Sequence, residues 1–343
     1  MNTSVVEFVT LALVVVGAGV VLSRAADRFA EVTRLGRMLV GSVLLSAATS
    51  LPELTVDVAA VRAGLPNLAI GDLMGSSLMN LLILAAIDLS VRSPRPMFSR
   101  QAAAHALPAT LSIVLTALVG LAILTAGRLP PLALAGMGGW SLAILVAYAC
   151  GARMIFLDQR IAARTAEESD PRAAVEAAGA RDRTLAIRES VVSGGAFVAA
   201  ALVLLWSGPR LAASAGAIAA ASGLGGTFIG TTLVALTTSL PELVVAVVAV
   251  RSGAVDLAIG NTFGSNAFNM VLFAPLDAVH PGSLFAAAES VHVVTVLAVI
   301  AASAVAVLGQ LYHVERRVPL FEPDAVSIVI IVCGAIGLVY RLS

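Results

Sequence analysis

Glu53 and Glu242 each stand in an otherwise apolar run directly behind a proline, in Thr49-Ser50-Leu51-Pro52-Glu53 and Thr238-Ser239-Leu240-Pro241-Glu242. The two are copies. Residues 41–80 and 230–269 align without a gap at an offset of 189 and agree at 21 of 40 positions. Proline has no N–H and disrupts the bonding of the preceding helical turn, so Pro52 and Pro241 are expected to free carbonyls just before each acid. Thr49, Ser50, Thr238 and Ser239 add hydroxyls at the same level. Ser76 and Asn80 are four apart, as are Ser265 and Asn269, which places each pair on one helix face. Gly75 and Gly264 beside them permit close helix approach. Carboxylate, carbonyl and hydroxyl oxygens are the ligands of hard cations such as Ca²⁺ and Na⁺. A blander reading is a kinked packing helix with a protonated Glu, and with Ser and Asn bonding between helices. Two copies at matching depth weigh against it, and the duplicated acid reads as a cation site.

Such a site needs a membrane scaffold to position it. The 343 residues are 59% hydrophobic and 12% charged, with a mean hydropathy of +0.98, whereas soluble domains carry about 25% charged residues. This is the composition of an all-α polytopic membrane protein in contact with a lipid bilayer. Spans need about 20 apolar residues each, and ten fall near 5–23, 37–61, 67–90, 102–126, 130–153, 189–207, 225–250, 255–279, 288–310 and 324–341. The N-terminal MNTSVVEF lacks the basic region of a signal peptide, so the first apolar run is expected to stay as a helix. Basic and acidic residues balance at 21 each and every basic residue is Arg, which gives no sign of a nucleic-acid partner. Cys150 and Cys333 sit in apolar runs without metal-ligand spacing and read as packed thiols.

The polar stretch 154–188 divides the chain into a first five-helix unit, 1–153, and a second, 189–343, and reads as a solvated cytoplasmic linker. With the N-terminus outside, 17 arginines fall on the inner side and 4 on the outer. Both termini are then outside. An odd number of spans per half inverts the second copy relative to the first, so Arg62 and Arg251 occupy equivalent positions on opposite sides. That is an inverted-repeat architecture, whose sites lie near the midplane between the repeats.

The duplicated Thr-Ser-Leu-Pro-Glu-Leu, followed in each copy by Gly-Ser and then Asn, resembles the Ca²⁺/cation antiporter superfamily, most closely its Na⁺/Ca²⁺ exchanger branch. The resemblance implies ten transmembrane helices as two inverted five-helix repeats, with an ion cluster on helices two, three, seven and eight. It implies a monomeric prokaryotic cell (inner) membrane protein that exchanges Ca²⁺ for Na⁺ by alternating access, without a cofactor and without enzymatic activity. By motif position, Glu53 and Glu242 are the chief Ca²⁺ ligands and Thr49 and Thr238 give backbone carbonyls. Ser50, Ser76, Ser239 and Ser265 line flanking Na⁺ sites, and Asn80 matches the family's asparagine. Asn269 departs from the family's usual Asp, Ser77 replaces the Asn of Gly-Ser-Asn, and Asp72 stands where the second copy has Asn261. Asp57 has only Ala246 as its mate. Asp57 and Asp72 read as polar residues near an outer vestibule with a secondary role, and the matched Asp88 and Asp277 as structural.

Charge sets the alternatives. Glu53 and Glu242 together neutralise one Ca²⁺, whereas three Na⁺ leave the cluster one charge positive. Protons compete for the same acids, so an H⁺/Ca²⁺ antiporter is the nearest alternative. A cation channel with paired acids is a weaker reading, because channels build such rings by oligomeric symmetry. An intramembrane aspartyl protease lacks a second Asp motif. The four histidines have no repeat mates beside acids and read as structural or solvated.

Overall fold

The computed structural model describes residues 2–33, 35–90, 106–126, 133–134, 136–169, 183–221, 235–311 and 322–342. Among the described residues the chain forms ten main helical elements. In order they are α1 (Asn2–Thr33), α2 (Arg37–Arg62), α3 (Pro66–Ser90), α4 (Ala106–Thr125), α5 (Gly139–Ser169), α6 (Arg183–Ala221), α7 (Leu240–Arg251), α8 (Val255–Val279), α9 (Val291–Leu311) and α10 (Pro323–Leu342). A short hairpin of β1 (Ala133–Leu134) and β2 (Met137–Gly138) precedes α5.

Eight of the described helices are long and apolar enough to cross a membrane. The other two, α7 and α8, carry the second ion motif. Asp256, Asn261, Asn266, Asn269 and Asp277 make α8 too polar to face lipid. It does not have to: α2, α3, α4, α5 and α7 all pack on it, and most of its length is buried. The outward faces of the other helices carry exposed Leu, Val and Ile, as a lipid-facing surface requires.

The two motif-bearing segments are built alike. Leu51–Arg62 and α7 are both 12 residues long, and α3 and α8 are both 25. Each shorter helix ends at a glycine with positive φ, Gly64 at 77° and Gly253 at 78°, where a residue with a Cβ is strained. The backbone closes identically, with Leu65 N–H donating to Ala60 and Ala254 N–H to Ala249. This is the glycine-terminated cap that satisfies the last helical carbonyls. It reverses the chain in three residues and sets each acid beside the helix that follows.

α2 is not uniform. It passes from Arg37–Leu39 through a π-helical stretch, Val40–Leu45, to Ser46–Thr49, and then restarts at Leu51. Its first half presses backbone to backbone on α8: a Cβ on Gly41 would stand 2.7 Å from the Leu257 carbonyl oxygen. A widened helical turn and small residues are what so close a crossing demands.

Several expected edges move. α1 runs ten residues past its expected end, and the described parts of 154–188 continue α5 and α6 as helix; 170–182 lie outside the described residues. So do 102–105 and 225–234, the starts of the expected fourth and seventh spans. The fifth span begins at Gly139 and not at 130, because Gly136, with φ of 79°, turns the hairpin first. Both cysteines are exposed, which overturns the packed-thiol reading. An apolar run in a membrane helix faces lipid as readily as protein, so apolar neighbours in sequence do not imply burial.

Candidate ion-binding site

Each acid owes its place to the break before it. Ser50 (φ −87°, ψ 6°) and Ser239 (φ −80°, ψ 3°) interrupt the helix, which resumes one residue later with proline in its first turn. Glu53 and Glu242 thus sit in the first turn of a helix, where the backbone dipole favours negative charge. Serine before a helix ordinarily caps it with its hydroxyl. Neither does so here, and both hydroxyls are buried without a partner.

All ten candidate residues are buried: Thr49, Ser50, Glu53, Ser76, Asn80, Thr238, Ser239, Glu242, Ser265 and Asn269. They converge where α2 and α3 meet α7 and α8. The Thr49 hydroxyl lies 3.2 Å from that of Ser265 and donates over 3.5 Å to Asn261 Oδ1. Reciprocally, the Thr238 hydroxyl lies 3.3 Å from that of Ser76 and donates over 3.3 Å to Asp72 Oδ1. Deeper in, Asn80 Nδ2 donates to Asn266 Oδ1 at 3.0 Å, and Asn269 Nδ2 reaches Ser77 Oγ at 3.5 Å. Every pair becomes the other on adding or subtracting 189. A two-fold relation between the repeats produces this pattern, and chance does not.

Glu53 lies within electrostatic reach of Glu242. Glu53 Oε2 and both Glu242 oxygens have no hydrogen-bond partner, nor does Asn269 Oδ1. Thr49 faces the Glu242 carboxylate without completing a hydrogen bond to it. The four ion pairs found among the described residues all lie around Arg28 and Arg37, away from these acids. Buried, unpaired carboxylate oxygens are costly unless a cation or proton meets them. Among the described residues no three acidic, histidine or cysteine side chains converge on one point. A cation here would therefore draw on one pair of carboxylates supplemented by hydroxyl, amide and backbone oxygens, as hard cations accept.

Asp57 and Asp72 differ from expectation. Neither lines an open vestibule: both are fully buried, and each lies within the other's electrostatic reach. One turn along a helix from Glu53 points the same way, which carries Asp57 inward. Asn266 was missed, although it is the mate of Ser77; it ties Asn80 to the Ser77 carbonyl. Asp277 is structural, accepting from Gly138 N–H, the Ser141 hydroxyl and Leu284 N–H at 2.7, 2.6 and 3.0 Å. Of the histidines, His280 accepts from Gly282 N–H and His292 contacts Asn67; His105 and His313 lie outside the described residues.

A polytopic helical protein with duplicated acids buried at the crossing of its repeats has the build of an ion carrier. The chain belongs to the sodium/calcium exchanger protein family, whose model matches residues 3–154 and 192–339. It is 29% identical over 251 residues to the inner membrane protein YrbG of Escherichia coli (strain K12), covering 72% of this chain and 71% of that protein. Over 55 residues, 16% of each chain, it is 54% identical to the sodium/calcium exchanger MaX1 of Methanosarcina acetivorans. Its fold matches a solved structure of the sodium-calcium exchanger NCX_Mj, soaked with 10 mM Na⁺ and zero Ca²⁺. The TM-score is 0.68, with 19% identity, over 98% of this chain and 99% of that one.

Proposed function

We propose that this chain is a secondary antiporter of the cell (inner) membrane that exchanges Ca²⁺ for Na⁺ by alternating access, and that it is not an enzyme. The observation that carries the reading is the pair Glu53 and Glu242, buried within electrostatic reach of each other, with Glu53 Oε2 and both Glu242 oxygens unpartnered, beside the reciprocal Thr–Ser contacts. Together they neutralise one Ca²⁺. The hydroxyls of Ser50 and Ser239, also unpartnered, offer ligands for Na⁺ beside it. Membership of the sodium/calcium exchanger family supports the choice of ions.

The moving parts are α1 and α6. They pack on each other, α1 against α7 and α6 against Leu51–Arg62, so they slide as a unit over the helices that bear the two acids. An empty site holds two uncompensated carboxylates and is costly to enclose. The slide therefore proceeds only with ions bound, which enforces exchange over leak. Both termini lie outside in this scheme, with 1–153 and 189–343 as the inverted repeats.

H⁺ is the second candidate counter-ion, because Asn269 offers a neutral oxygen where an acid would help to balance several Na⁺. Ca²⁺ uptake into proteoliposomes under an outward Na⁺ gradient, set beside an outward H⁺ gradient, separates the two. Uptake driven by Na⁺ and lost in Glu53→Gln and Glu242→Gln is expected. Uptake driven only by H⁺ would transfer the coupling to protonation of the same glutamates, and uptake unchanged in both variants would overturn the site.

A further inference from the structure

Asp57 and Asp72 lie one helical turn from Glu53 and Ser76, on the side of Arg62 and Pro66. Both are fully buried, on helices that pack on each other, and each lies within the other's electrostatic reach. Among the described residues neither Asp57 oxygen has a hydrogen-bond partner, nor does Asp72 Oδ2; Asp72 Oδ1 accepts from Thr238. Glu53 lies within electrostatic range of both aspartates, and Glu242 of Asp72. Its own unpartnered oxygen belongs to the same acidic interior.

The second repeat is an internal control. It builds the same helices, the same glycine caps and the same Thr-Ser contact with Ala246 in place of Asp57 and Asn261 in place of Asp72. The fold does not need the two acids. Burying an ion costs several kcal/mol after relaxation, and these two have no compensating base among the described residues. A neutral pair of residues in the mate position shows what the architecture uses when no charge has to be met.

We propose that Asp57 and Asp72 form a second divalent-cation site, one turn outward of Glu53 and Glu242, with the Ser76 and Thr238 hydroxyls close by. The inference rests on the reading that the two glutamates hold Ca²⁺, and adds a loading position before them on one side only. Two carboxylates match the charge of one Ca²⁺, and their oxygens suit a hard cation. Four acids then balance two divalent ions. An ion on the aspartates repels one on the glutamates, which favours delivery from one site to the next.

Equilibrium dialysis of the purified protein against radiolabelled Ca²⁺ tests this by counting ions per chain. The variant Asp57→Ala with Asp72→Asn copies the residues of the second repeat, so it disturbs folding least; Asp72→Asn alone is the fallback. The wild type is expected to bind a second Ca²⁺ that the aspartate variant loses, while keeping the first. Glu53→Gln with Glu242→Gln is expected to lose the other one and keep the aspartate ion. An aspartate variant that binds as many Ca²⁺ as the wild type overturns the site. One that binds none overturns its independence from the glutamates. If instead the glutamate variant binds as many as the wild type while the aspartate variant loses an ion, the outer site stands and the function proposed for the glutamates falls.

Discussion

The Thr49 hydroxyl meets the Ser265 hydroxyl at 3.2 Å, and their repeat mates Thr238 and Ser76 meet at 3.3 Å. Each threonine ties its own broken helix to the long helix of the other repeat. The two are nevertheless unequal, because Thr49 donates onward to the neutral Asn261 and Thr238 to the acid Asp72. Neutral hydrogen bonds contribute about 0.5–1.5 kcal/mol and those to charged groups about 1.5–3. Thr238→Val is therefore expected to destabilise the protein more than Thr49→Val, with both lowering Ca²⁺ uptake. Thermal unfolding of the two variants checks the order. Equal losses would mean that Asp72 is uncharged where Thr238 meets it.

Glu53 and Glu242 predict how stability responds to Ca²⁺. A ligand that binds only the folded state stabilises it by mass action, about 2.7 kcal/mol at one hundred times its Kd. Ca²⁺ should raise the unfolding temperature of the wild type in steps set by its concentration. Glu53→Gln with Glu242→Gln should unfold at a higher temperature than the wild type in chelator, since buried unpaired charges are removed. The part of the Ca²⁺-dependent rise that comes from this pair should vanish. A variant less stable than the wild type in chelator would show that the glutamates have partners in the folded state without ions.

How much of this was legible depended on duplication. α8 is the acid- and amide-rich helix of the second motif, yet the expected span 255–279 coincides with its bounds, Val255–Val279. Residues with mates, such as Thr49 and Ser76, lie buried in reciprocal contacts between the repeats. Asp57 lacks an acidic mate, so its depth was misjudged; helical spacing gives a face, but the partner on that face is set by tertiary packing. Asn266 hid for the same reason, since its mate is Ser77. The cysteines were misread because hydropathy cannot separate a lipid-facing residue from a core one. Helix ends were misjudged where α1, α5 and α6 run beyond what hydrophobicity requires, into charged sequence.

Asp277 supports a prediction of the opposite kind. Its carboxylate holds the β2–α5 junction at Gly138 and Ser141 and the loop after α8 at Leu284. Each donor left unpaired in a buried place costs about 1–3 kcal/mol, and Asp277→Ala orphans three. A marked fall in unfolding temperature is expected, with Ca²⁺ affinity of the folded fraction unchanged. Affinity measured by calorimetry on monodisperse protein checks it. A weakened Kd at normal stability would place Asp277 in the ion path and not in the frame.

Gly19 and Gly208, again related by 189, mark where α1 and α6, the pair proposed to slide, touch the acid-bearing helices. A Cβ on Gly19 would come within 2.9 Å of Val244 Cγ1, and one on Gly208 would run into the Pro52 ring. Real Cβ atoms essentially never come that close, so a larger residue forces the helices apart. Overpacking of this kind typically costs about 1–3 kcal/mol. If α1 and α6 slide as proposed, the cost falls on the slide, because the atoms these Cβ positions meet first belong to Val244 and Pro52 and not to the glutamates. Gly208→Val is expected to abolish most exchange while leaving Ca²⁺ binding at equilibrium intact. Gly208→Ala should do so partially, and Gly19→Ala less than Gly208→Ala, since a valine side chain yields where a proline ring does not. Exchange rates in proteoliposomes, measured beside Ca²⁺ binding in detergent, separate the two quantities. Loss of binding together with exchange would show that α6 shapes the site itself and does more than gate it.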